Sequence, residues 1–83
     1  MKEHIEVETG LDSEGSLLPR AFTWRGERFA ILSFGRRWSV GSRRHVLVKA
    51  PGDKTFEIVY DAQDSSWWMV RSPRDFGPRV RET

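Results

Sequence analysis

The chain has 83 residues, no cysteine and a formal charge of +2. That length supports one domain with a thin core, burying about 60–65% of the surface its unfolded form exposes. Without thiols, disulfides and thiolate metal centres are excluded; with no apolar leader at Met1–His4 and no stretch near the ~18 apolar residues of a membrane span, a cytoplasmic protein is expected.

The first alternation is His4-Ile5-Glu6-Val7-Glu8, a strand with Ile5 and Val7 on one face. Residues 1–14 are acidic, with Glu3, Glu6, Glu8, Asp12 and Glu14 against Lys2 alone. Gly10 to Pro19 is turn-like and predicts a loop pinned by Leu17 and Leu18. Phe22 and Trp24 then share a strand face. Gly26 supplies the positive φ that a tight hairpin needs, so residues 20–34 read as a β-hairpin. Its second arm, Arg28–Phe34, is apolar on both faces, as in a barrel or a strand bending between two sheets. Gly35 is the expected site of the bend.

Arg36-Arg37-Trp38 and a turn over Ser39–Ser42 follow. Val46 and Val48, then Phe56, Ile58 and Tyr60, then Trp67–Arg71 form three alternating runs separated by Pro51-Gly52-Asp53 and Asp61–Ser65. This pattern predicts an antiparallel meander over 43–71, with Val46, Val48, Phe56, Ile58, Tyr60, Trp68 and Val70 on one buried face. From Ser72 the composition reads as a basic tail, giving a single β domain at 1–75 and a disordered basic tail at 76–83. The expected fold class is all-β: a small antiparallel barrel (SH3-like) or a strongly bent sheet of about six strands, ending in the three-stranded meander.

Catalytic and metal-binding patterns are missing. His4 and His45 have no second ligand at i+2 or i+4, and neighbouring Arg44 would repel a metal from His45. No serine sits in a Gly-x-Ser-x-Gly turn, although sequence alone leaves a Ser–His45–Asp arrangement open. Asp61 and Asp64, like Asp12 and Glu14, are explained as turn residues bonding nearby amides. The glycines match neither phosphate-loop pattern. No enzyme and no cofactor are expected.

Charge and aromatic content are more informative. The middle of the chain is rich in arginine, and Arg36, Arg37, Arg43 and Arg44 surround Trp38 and a glycine turn. Guanidinium suits phosphate and ring stacking. There are four tryptophans. By alternation Trp24 and Trp68 are assigned to the core, and Trp38 and Trp67, with Arg71 on the face of Trp67, to exposed surface. Three readings follow: a self-stacked cation–π surface, a nucleic-acid surface using Arg36, Arg37, Trp38, Arg43, Arg44, Trp67 and Arg71, or a protein-docking surface anchored by the same rings. Of the two binding readings, nucleic acid is placed first. The protein is read as a monomer with no membrane partner.

Ile5, Val7, Pro19, Phe22-x-Trp24-Arg25-Gly26-x-x-Phe29, Ile31-Leu32, Trp38, Arg44, Val46, Val48, Phe56-Glu57-Ile58-x-Tyr60-Asp61 and Trp68 also carry a likeness. In order and spacing they resemble a small uncharacterised bacterial domain. That domain occurs alone or at the C-terminal end of proteins similar to Y-family, translesion-type DNA polymerases. Its members carry further tryptophans after the Trp38 position, where this chain has Ser39-Val40-Gly41. The family has no established activity. The resemblance implies a cytoplasmic setting and a DNA-linked partner, and no catalytic residue.

Overall fold

Seven strands follow one another in the computed structural model, which describes residues 3–76. They are β1 (Glu3–Leu11), β2 (Leu17–Trp24), β3 (Glu27–Ala30), β4 (Ser33–Val40), β5 (Arg43–Ala50), β6 (Lys54–Asp61) and β7 (Ser66–Arg71), followed by one helical turn, α1 (Pro73–Phe76). All pairings are antiparallel, in the spatial order β3-β2-β1-β7-β6-β5-β4. The fold is therefore all-β, a strongly curled sheet forming a half-barrel, and its last three strands are the expected meander.

Local chemistry sets the β2–β3 hairpin. Arg25 and Gly26 both have positive φ, 52° and 80°. A two-residue turn of that kind matches the right-handed twist of the flanking strands. Glycine takes such a φ without a Cβ penalty.

The curl of the sheet follows from residues 31–32. β3 and β4 are the two outermost strands, yet only Ile31 and Leu32 separate them. Ile31 N–H donates to the Arg20 carbonyl at 2.9 Å, and Leu32 N–H donates to the Lys49 carbonyl at 2.7 Å. Successive residues thus bond to opposite margins of the sheet and draw them together. This is why the expected single arm 28–34 is two strands: Phe29 faces the core from one margin and Phe34 from the other, and Leu32 between them is 65% exposed. The apolar residues on both sides of that run record a change of partner strand. The sheet thus has seven strands where about six were expected.

The interior holds Ile5, Phe22, Phe29, Val46, Val48, Phe56, Ile58 and Met69. Phe56 meets Phe22 and Phe29 with ring centroids 4.9 Å away in each case. Full burial of such a ring stabilises by about 1.5–3 kcal/mol. Trp24 packs against this cluster as expected, and its indole N–H donates to Glu3 at 3.1 Å. The same carboxylate accepts two bonds from Arg25, which hold it below its ordinary value of 4.5.

Four expectations are corrected. In β7, Trp67 and Met69 face the core; Trp68 lies on the outer face, opposite Val59 and edge-on to His4. Val70 therefore does not continue the buried row, since the β6–β7 register shifts between Glu57 and Ile58 and the bulge restores Arg71 to the outer face. Of the expected 10–19 loop, residues 10–11 belong to β1 and 17–19 to β2, and the turn after Trp38 is shorter than Ser39–Ser42 because β4 runs through Val40. Ser72 to Phe76 are not tail: Ser72 is 9% exposed, its N–H donates to Asp75 at 2.8 Å, and Phe76 lies beneath the Arg71 guanidinium. Residues 77–83 of the expected tail lie outside the described residues.

Candidate functional site

Towards the β4–β5 hairpin the margins of the sheet separate. β2 is paired with β3 only from Ala21 onwards, so among the described residues Leu17–Pro19 are paired with β1 alone and β4 with β5 alone. A slit between these two free edges opens into a cavity of about 700 Å³. Its lip is Leu17, Leu18 and Pro19; its depth is Phe34, Val46, Tyr60 and Trp67. Among the described residues, Leu17 is one of the most exposed large apolar side chains, at 70%.

The basic side of the slit comes from alternation. Ser39, Arg44, Tyr60 and Trp67 are successive cross-strand partners over β4, β5, β6 and β7. Their shared face places Arg44 beside the Tyr60–Trp67 pair, whose ring centroids are 4.9 Å apart. Arg37, opposite Val46, is on the same face because a bulge lies between Phe34 and Arg37. Its guanidinium lies 5.2 Å from the Phe34 ring centre. Among the described residues neither Arg37 nor Arg44 is in an ion pair. Asp12, near the opposite lip, is already engaged: the amides of Ser16 and Glu14 hold it below its ordinary 3.8, with the charge of Arg37 the smallest contribution.

The remaining sequence-derived positions divide. Trp38 borders the slit, but its ring is stacked on His45 at 5.1 Å, with planes 11° apart, and it is half-buried. Arg36 lies over that same ring at 5.6 Å. Arg43 is held by Asp61 at 3.4 Å. Arg71 is on the outer face, where its Nε donates to Glu57 at 2.6 Å. The geometry thus brings Arg37, Arg44 and Trp67 together, sets Trp38 and Arg36 at the margin, and leaves Arg43 and Arg71 with carboxylate partners.

Sequence reasoning missed Tyr60 and the Leu17–Pro19 lip. Tyr60 alternates with Ile58 and reads as core until the open end of the barrel is known. The available signal for the lip was Leu17-Leu18-Pro19 itself: proline lacks an N–H and occupies strand edges.

No group of three or more His, Cys, Asp or Glu that could hold a metal occurs among the described residues, and no described helix is long and apolar enough to cross a membrane. No family model matches the chain, and no match to it is found among curated proteins or solved structures.

Proposed function

We propose that this chain is a non-enzymatic β module that binds single-stranded nucleic acid weakly through the open end of its half-barrel. The observation that carries the reading is the pairing of Arg37 and Arg44, two arginines in no ion pair among the described residues, with the Tyr60–Trp67 floor of one cavity. Guanidinium groups grip phosphate without a deep pocket, and rings supply a surface for bases. The resemblance to the polymerase-linked domain supports a DNA-linked, cytoplasmic setting. The rival reading is a protein-docking module. It is favoured by the unpaired edge of β4, which offers main-chain groups for strand addition.

Fluorescence anisotropy with a labelled oligonucleotide separates the two. Neutralising about three phosphates of a single strand gives a slope of log K against log salt near −2. Arg37→Ala with Arg44→Ala weakens binding and flattens the slope, while Arg43→Ala, whose side chain is occupied by Asp61, does so less. Absence of binding to single strands at low salt, where screening is weakest, rejects the nucleic-acid reading in favour of docking.

A further inference from the structure

We infer that the cavity takes one unstacked base, inserted between the strand edges, and that the arginines hold the phosphates on either side of it. The inference rests on the nucleic-acid reading and specifies its ligand. Three features of the geometry lead to it.

First, the interior beyond the cavity is filled, since Phe34 and Trp67 of its lining pack against the core cluster. The Ile31–Leu32 join ties the two margins of the sheet together, and Phe34 and Val46 line the space on the slit side of it. A strand of nucleic acid therefore cannot thread through the barrel, and only a side group projecting from the backbone enters. Second, the volume of about 700 Å³ lies within the ~300–1,000 Å³ range of sites for small organic ligands. That is room for a flat heterocycle with its solvent, and a groove for stacking many bases in succession would need to be open at both ends. Third, the walls match the two chemical surfaces of a base. Tyr60 and Trp67 bring two aromatic rings to the lining as partners for its π surface. Leu17–Pro19 and β4 are each paired on one side only among the described residues, so the outward half of their main-chain carbonyls, and of their N–H groups except at Pro19, is available to its polar rim.

The position of the cations completes the argument. Arg37 and Arg44 stand at the rim, on the same face as the floor, so a backbone passing across the mouth meets them as its base enters. Paired duplex offers no such base without unstacking it, which costs free energy. The recognised unit is consequently a single nucleotide with its flanking phosphates.

The test uses the full 83-residue chain and synthetic six-nucleotide DNA strands. One strand has every base removed, one has a single central thymine on an otherwise abasic backbone, and one has six thymines. All carry the same phosphates. We expect the single thymine to raise affinity roughly tenfold over the abasic strand, the size of one base–aromatic stack. The five further bases then add no more than about sixfold, the statistical factor for six equivalent bases sharing one site. Trp67→Leu removes the gain from the single base, and Trp67→Phe, which keeps a ring, retains most of it. Equal affinity for abasic and thymine-bearing strands overturns base insertion while leaving phosphate binding in place. A gain that multiplies again with each added base, far beyond that statistical factor, also overturns it, since that is stacking along an open surface. Failure of all three strands to bind at low salt overturns this inference together with the reading it rests on.

Discussion

The ring of Trp38 lies flat on that of His45, with centroids 5.1 Å apart, and His45 in turn bonds through Nδ1 to Glu57 at 2.8 Å. Glu57 is 4% exposed and also accepts from Arg71. The outer face of β4–β7 therefore has a polar network of its own beneath partly buried rings. A buried carboxylate is tolerated only when its lone pairs are satisfied. Arg71→Ala leaves Glu57 with His45 alone and should lower stability by about 1–3 kcal/mol. Urea denaturation checks this. Restoring an apolar partner with Glu57→Leu in the same chain should recover part of the loss, giving a coupling of at least about 0.5 kcal/mol. Because Arg71 acts on this face and not at the slit, its loss should leave the salt slope of oligonucleotide binding unchanged.

Gly26 lies at φ 80° with open space around its missing Cβ. Any cost of substitution is therefore backbone strain and not collision. Gly26→Val should destabilise by about 1–3 kcal/mol, since a β-branched residue resists positive φ. Equal denaturation midpoints for variant and parent would show that the turn accepts another conformation.

These two positions illustrate what was readable. Gly26 was legible because a glycine between two alternating runs has one economical explanation. The meander core of Val46, Val48, Phe56 and Ile58 was legible because β-branched and aromatic residues recur there at every second position between short turns. Trp67 and Trp68 were not: β7 is apolar on both faces, so its pattern fits either parity, and a one-residue slip exchanges the faces. The bulge next to Ile58 is set by pairing with β6, which no local signal in β7 records. Arg37 and Arg44 were legible as a basic cluster. Their separation from Arg43 and Arg71 was not, because Asp61 and Glu57 become partners only through cross-strand register.

Acid should unfold the protein through a small set of carboxylates. Glu8 is held below its ordinary 4.5 by hydrogen bonds from Arg28, and Asp12 below 3.8 by the amides of Ser16 and Glu14. Asp61 and Asp75 are lowered in the same direction, chiefly by the amides of Gln63 and Ser72. A folded value below the unfolded one contributes stability that is complete above the unfolded value and is lost as pH falls through the folded one. Tm should therefore hold level from pH 7 to about 5 and fall below about 4. Asp12→Asn keeps an acceptor oxygen but no charge, so its Tm should fall less steeply over that acid range. High salt should weaken the Glu8–Arg28 contribution, which is exposed, and leave that of Asp12 nearly intact. A Tm that falls between pH 7 and 5 would place the sensitive groups elsewhere.

The most direct test of the open end as the binding site is a heteronuclear NMR titration of the chain with a short single-stranded oligonucleotide at low salt. The account predicts shifts concentrated on Leu17, Leu18, Arg37, Arg44 and Tyr60 and on the indole N–H of Trp67. The indole of Trp24, bonded to Glu3 at the far end of the barrel, should stay fixed. Shifts centred instead on Trp24, Lys54 and Arg74, or spread evenly over all exposed cations, would contradict it.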